Sequence, residues 1–319
     1  MFLTLVAILG AGACVGACAV ALTRGRSVRA LGALVALATV AGAAALAAPG
    51  PAATVTVPVL VAIRAAANGG VDRVVFEFRG GLPRQVRVAY VRALIQDGSG
   101  LRIAMPGRAI LEVRAQQANA HDLQGHPSSP DALTVALRNV MRVKRAGDFE
   151  AVLSYGIGVA QRRPFRLTML HNPDRVVVEI DNRLRVVARK VFFMNLPKFR
   201  TGRLPDVTAV MRWVPAATPA TGVMDRLFAG PTAAEYASGL RLVASAATGF
   251  AGLSISGAVA RVTLNGGCAS GGSTFTIANE IAPTLGQFAG VSGIKIFDPA
   301  GQTEQPGGQS SSIPACLEP

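Results

Sequence analysis

The sequence predicts a mixed fold: apolar N-terminal helices, then a mainly-β sandwich, then an α+β sandwich. Three observations carry this. The first fifty residues are almost wholly apolar, and their only charges are Arg24, Arg26 and Arg29. Residues 58–181 hold short apolar runs, several of them alternating, separated by Gly and Pro, which is the pattern of β-strands and turns. Residues 189–319 mix such runs with helix start and stop signals. We therefore divide the chain at residues 1–50, 58–181 and 189–319. Half of the residues are apolar, so each of the two later modules can bury a core of its own.

The N-terminus is read as an export segment. Residues 1–22 are apolar throughout, the three arginines follow, and a second apolar run spans residues 31–48 before Pro49-Gly50-Pro51. Three readings stay open. The second run has a basic start, an apolar centre and small residues at Ala45 and Ala47, which is a signal peptide cleaved after Ala47. Alternatively, both runs span a membrane as a hairpin with the arginines facing the cytoplasm. In the third, Val15-Gly16-Ala17-Cys18 is a lipoprotein signal and Cys18 is acylated. The first reading makes residues 1–23 an upstream extension.

The net charge is +14. It is spread out: residues 59–181 carry 17 basic and 11 acidic side chains, and residues 182–319 carry 12 and 7. No run of five like charges occurs, so no nucleic-acid partner is expected, because such a footprint is clustered. The first reading of the charge is a soluble basic exterior. The second is attraction to an anionic envelope polymer or a lipid surface.

In the first module strands are predicted at residues 71–78, 86–91, 100–105, 109–113, 140–143, 151–155, 165–170 and 175–180. The gaps hold Gly80-Gly81-Leu82-Pro83, Asp97-Gly98, Pro106-Gly107 and Asn172-Pro173. Many short strands with such turns predict a sandwich or barrel. One segment recurs: Asp72-Arg73-Val74-Val75 returns as Asp174-Arg175-Val176-Val177, with Glu77 and Glu179 following. The two copies are read as the first and last strands of the module, neighbours in one sheet.

The chemistry-bearing residues of this module are few. His121-Asp122 with His126 is the best metal candidate, but its Gly and Ser neighbours read as an exposed loop, so no metal is expected. Arg162-Arg163-Pro164, placed beside Tyr155 on the adjoining strand, is the most concentrated polar–aromatic patch. Its guanidinium pair could hold phosphate or carboxylate bidentately, so Arg162, Arg163 and Tyr155 are the candidate ligand-binding residues. No catalytic set and no cofactor site is evident. Convergence of Asp148, Glu150 or His171 in one deep pocket would reopen catalysis.

In the second module strands are predicted at residues 190–196 and 207–214. Thr218 is read as the cap of a helix that opens on Pro219 and stops at Gly230. Thr232 and Glu235 form a capping box for a short second helix. A hairpin at residues 253–256 and 259–264 turns around Gly257. A helix over residues 274–288 is shortened or kinked by Pro283, and a last strand covers residues 294–297. The helices are expected on one face of a sheet.

Beyond the export segment only Cys268 and Cys316 remain. An even pair in an exported chain predicts a disulfide, which would tie the Gly-, Gln- and Ser-rich tail to the second module. Closing so long a loop stabilises by roughly 3–4 kcal/mol in the chain-entropy account. A catalytic Cys268 would need a base, and His121, His126 and His171 all lie in the other module.

Two resemblances follow from these residues. The segments NGGVDRVVFEFRGGLP, AILEVRAQQANAHD, GDFEAVLSYGIG and NPDRVVVEI, in this order across residues 58–181, resemble the AMIN-like domain of actinobacterial envelope proteins. The wider AMIN family is a β-sandwich associated with targeting envelope proteins, in several cases by binding peptidoglycan. Residues 214–221, 227–235 and 239–240 and the SISGAVARVTL hairpin resemble the GerMN domain. That domain occurs in envelope lipoproteins, including spore-germination proteins and partners of sensor kinases. The resemblances imply a non-catalytic, extracytoplasmic binding or scaffolding protein, membrane-anchored or secreted, that contacts cell-wall polymer and an envelope protein partner. The alternatives are a ligand-sensing accessory subunit of a membrane kinase and, behind it, a cell-wall hydrolase.

Overall fold

The computed structural model describes residues 56–319. The N-terminal apolar helices, the cleavage after Ala47 and the acylation at Cys18 expected from the sequence all fall outside the described residues. Among the described residues no helix is long and apolar enough to cross a membrane.

Two antiparallel sheets face each other in the first module. In chain order the strands are β1 (Val59–Asn68), β2 (Val71–Arg79), β3 (Gln85–Val91), β4 (Leu94–Ile95), β5 (Arg102–Ile103), β6 (Ala109–Gln116), β7 (Ala132–Thr134), β8 (Val140–Phe149), β9 (Val152–Val159), β10 (Phe165–Leu170) and β11 (Arg175–Asp181). One sheet has the order β1-β2-β11-β10 and the other β3-β6-β9-β8-β7. Alternation along β2 sends Val74, Phe76 and Phe78 inward, where they meet Leu111, Val113, Leu153 and Ile157 of the opposing sheet. The β1–β2 turn needs two residues with positive φ, and Gly69 and Gly70 supply them.

The repeated segments are neighbours, as expected. Strands β2 and β11 pair antiparallel with Val75 opposite Val177, so Arg73 faces Glu179 and Arg175 faces Glu77. The repeat thus places opposite charges across the sheet at both ends, and Arg73 Nε lies 3.5 Å from Glu179. The first copy is not the first strand, however. Strand β1 precedes it, and its Ala-rich second half, residues 65–67, carries no alternation to signal it. The strand expected over residues 100–105 shrinks to Arg102–Ile103, because Gln96 and Leu101 close a short hairpin loop instead.

The second module contains β12 (Val186–Asn195), α1 (Leu196–Arg200), β13 (Val207–Pro215), α2 (Pro219–Ala229), α3 (Ala233–Ala237), β14 (Leu240–Arg241), β15 (Gly249–Ser256), β16 (Val259–Asn265), α4 (Ile277–Gly286) and β17 (Gly293–Phe297). Two three-stranded sheets form, β13-β12-β14 and β15-β16-β17, where a single sheet was expected. Helices α2 and α4 pack on both, and their Val223, Leu227, Ile281 and Leu285 share one core with Val191, Phe193, Val262 and Ile296. The capping box of Thr232 and Glu235 forms. Thr218 occupies the cap position of α2, but its side chain makes no cap bond. It is held in a turn by its amide bond to Pro215 O, with a ψ of 60°. The predicted strand over residues 190–196 starts earlier, and Leu196 already belongs to α1, whose first turn Asn195 caps.

Helix α4 closes an open sheet edge with side chains. Glu280, Thr284 and Gln287, one turn apart, accept from the amides of Met194, Phe192 and Lys190, alternate residues of β12. The Glu280 carboxyl also accepts from Val243 N at 3.0 Å. Burial raises its pKa to about 8, against the two amides that favour the anion. A disulfide joins Cys268 and Cys316, with Cα atoms 5.7 Å apart. The tail runs beside β17, where Ser312 exchanges backbone bonds with Ile294 and Ile296, and the buried Lys295 ammonium donates to Gln305 O.

The modules meet through a bend at residues 135–140. Arg226 of α2 is 1% exposed. Its guanidinium donates to the carbonyls of Val135, Leu137, Arg138 and Val140, and to Trp213 O. The amide side of the same bend faces the buried Asp72, which accepts from Asn139 N at 2.7 Å and Val140 N at 2.8 Å. The bend therefore lies between a cation on its carbonyls and an anion on its amides. Arg108 reaches across to Asp225, 3.0 Å away, and Thr134 Oγ1 donates to Ala229 O.

Candidate binding groove

A groove of about 720 Å³ opens on the first module. It is built on a β-bulge. The register of β8 against β9 shifts between Arg145 and Gly147, and bulges re-aim side chains at such places. As a result Lys144, Arg145, Gly147, Asp148 and Phe149 all line the groove. A regular strand would send alternate ones to the far face. Gly147 is required here, because a Cβ on it would collide with the Asp97 carboxylate. The β4–β5 loop is stitched down by Asp97 N to Ala146 O, at 3.0 Å, and by Ser154 Oγ donating to Asp97.

The charges in the groove are paired among themselves. Asp148 accepts from Ala120 N at 3.1 Å, and its Oδ2 lies 2.8 Å from His121 Nδ1. Asp131 holds Lys144 and Arg145 together. Partial burial opposes ionisation of Asp131, but the Lys144 and Arg145 cations outweigh it and its pKa is lowered. Phe149, at the end of β8, lines the groove with 66% of its surface exposed, beside the apolar Ile103 and Pro127. The groove thus sets an exposed aromatic ring beside hydrogen-bonding groups.

The sequence-predicted residues are distributed as follows. His121 lines the groove, but His126 and Asp122 bond to each other at 3.2 Å in the exposed loop. The amide of His126 lowers the Asp122 pKa first among several loop contacts, so this carboxylate closes the loop. Among the described residues no group of three or more His, Cys, Asp or Glu is placed to hold a metal ion. Glu150 sits in the β8–β9 turn, and His171 bonds Asp174 in the β10–β11 turn at 2.9 Å. Only Asp148 of the three proposed acid–base groups lines the groove.

Tyr155 is not in a patch with the arginines. It is 1% exposed inside the sandwich, its ring 5.4 Å from Phe76 and its hydroxyl 3.3 Å from Ser129 Oγ. Opposite Val113 in the β6–β9 pairing, it points into the core, and burial raises its phenol pKa. Tyr90 is the tyrosine that stands beside these arginines. Its hydroxyl donates to Arg163 O at 2.6 Å and accepts from Arg163 N at 3.0 Å, and Arg162 lies 4.8 Å over its ring. Arg163 pairs with Asp181 at 3.0 Å. The sequence reading missed Lys144, Arg145 and Asp131. The signal was available: adjacent charges at Lys144-Arg145, with a glycine two residues on, break strand alternation as a bulge does.

The fold and groove define a two-module, β-rich protein with an open cleft on its first module. Residues 58–182 match the AMIN-like domain family and residues 190–297 match the Germane family, described as sporulation and spore germination. The chain carries an AMIN-like domain followed by a Germane domain. AMIN-like domains are associated with peptidoglycan binding, and both families are typically non-catalytic binding domains. No curated protein and no solved structure matches the chain.

Proposed function

We propose that this is a non-catalytic, extracytoplasmic envelope protein whose AMIN-like domain holds cell-wall polymer in the groove. The observation that carries the proposal is the pairing pattern of the groove. Its carboxylates and cations neutralise each other, while Phe149 stands exposed on its wall beside Ile103 and Pro127. Such a cleft exerts little net pull on a charged ligand. It offers many hydrogen-bonding groups beside apolar surface, which suits a hydroxyl-rich chain with apolar ring faces or methyl groups. The Germane domain is assigned a protein partner, and the N-terminal segment delivers the chain across the membrane. Mass spectrometry of the mature N-terminus distinguishes release after Ala47 from an acylated Cys18 or an intact Met1. The test of function is cosedimentation of the full chain with purified cell wall. Retention is expected at low salt and, because the contacts are not chiefly ionic, at high salt too. Absence of retention at both would overturn the proposal.

A further inference from the structure

A second cavity, of about 510 Å³, lies where the two modules meet. It is separate from the groove and does not depend on the reading given to it. We propose that this cavity, lined by Arg163, Arg183 and Arg185, binds the phosphate group of a phosphate-bearing ligand.

Three stretches of chain build it. Gln161 and Arg163 follow β9, Arg183 to Arg185 connect β11 to β12, and Ala216 and Ala217 connect β13 to α2. The buried Asp181 positions two of the arginines. Its Oδ1 accepts from Arg163 Nε and Nη2 at 3.3 and 3.0 Å, and its Oδ2 accepts from Arg183 Nε at 2.8 Å and from Arg183 Nη2. The Arg183 amide also donates to Oδ1 at 3.0 Å. Arg183 and then Arg163 hold this carboxyl down at about 2, so the bracket stays charged at any working pH. The third arginine, Arg185, is fixed through its backbone, whose carbonyl accepts from Ala216 N at 2.9 Å. Among the described residues its side chain has no carboxylate partner.

The charge balance selects the ligand. Three guanidinium groups face one carboxylate, which leaves an excess of two. A single carboxylate ligand would neutralise half of it, whereas a phosphate dianion matches it. The planar guanidinium fork is suited to phosphate oxygens, and arginines already held side by side lose little freedom on binding. The Arg183 side chain is 78% exposed, so its donors not used by Asp181 are open to a ligand. The cavity exceeds a phosphate group in size, so the moiety carrying it has room across the seam.

The test is titration calorimetry of the full chain with inorganic pyrophosphate, with citrate as a carboxylate polyanion, at about 0.15 M salt, where exposed charges are largely screened. Pyrophosphate is expected to bind and citrate to bind more weakly. Arg185→Gln and Arg183→Gln should each weaken binding about 10-fold or more, the loss of a charged hydrogen bond. Arg185→Lys should fall between, and Arg200→Gln on α1 should match the parent. Phosphatidic acid vesicles, whose headgroup is a phosphate monoester able to carry two negative charges, form a second arm. Vesicle binding that needs Arg185 and is displaced by pyrophosphate assigns a lipid headgroup, and pyrophosphate binding without vesicle binding assigns a soluble phosphate-bearing ligand. Citrate binding as tightly as pyrophosphate, or no loss in either glutamine variant, would overturn the proposal. So would the absence of binding in both arms.

Discussion

Two clusters of charge in this protein use the same residue types to opposite ends. At the seam between the domains Arg226, Asp72 and Asp225 are buried, and their partners are chiefly backbone groups. In the groove Asp131, Lys144, Arg145, His121 and Asp148 pair side chain to side chain, and solvent reaches them. Burial makes an unpaired charge expensive, so the seam tolerates no vacancy and holds one arrangement. Exposure makes each pair worth little in stability, which leaves the groove free to exchange those bonds with a ligand. The first cluster fixes the shape of the chain, and the second is available for recognition.

The largest test of this contrast is Arg226→Ala. It strips the carbonyls of Val135, Leu137, Arg138, Val140 and Trp213 of a donor and leaves Asp72 and Asp225 without their nearest buried cation. A loss of about 3–5 kcal/mol is expected, seen as a fall in Tm of about 10 °C. Arg226→Met, which keeps the aliphatic volume, should recover little of it. A Tm within a few degrees of the parent would show that the seam is not held by this side chain.

A smaller effect is expected from Arg108→Ala, and it has a pH signature. Burial raises the Asp225 carboxyl from 3.8 to about 6, while Arg108 and Arg226 pull it down. The folded state therefore holds its proton more tightly than the unfolded state does. The contribution is fully present below pH 3.8 and is lost as pH rises through about 6. Removing Arg108 raises the carboxyl further and extends the loss upward. The variant should match the parent near pH 5 and fall behind it by about 1–2 kcal/mol at pH 8, read from urea midpoints. A deficit that is the same at both pH values would argue against an ionised Asp225 at the seam.

These two clusters were unequally legible in the sequence. The sandwich could be read because its strands alternate and its turns carry Gly and Pro. The β2–β11 pairing could be read because the repeated segment names its own partner. Local signals also gave the capping box and the cysteine pair. The seam was not legible: Arg226 sits on a helix whose sequence marks it as an ordinary basic residue in the last turn, and only tertiary approach of the bend at residues 135–140 makes it a core residue. Tyr155 failed for a related reason. Its neighbourhood in sequence holds arginines, but strand parity turns it inward, and Tyr90, distant in sequence, stands where an aromatic was expected. The groove was half legible: His121 and Asp148 were picked out as separate candidates, but their meeting depends on the bulge at Gly147.

The smallest expected change in stability comes from Phe149→Ala, and it tests the other side of the contrast. Phe149 ends β8 at the lip of the groove with 66% of its surface in water. Truncating it empties no core and breaks no hydrogen bond, so stability should move by less than about 0.5 kcal/mol. Retention on purified cell wall should fall about five- to tenfold, as for the loss of one aromatic contact of about 1 kcal/mol at an interface. Arg226→Ala should show the reverse order: a large loss of stability, with retention preserved at temperatures where the variant remains folded. Equal retention by Phe149→Ala and the parent would move the polymer site away from the groove, and a large fall in Tm would mean that this exposed ring supports the fold.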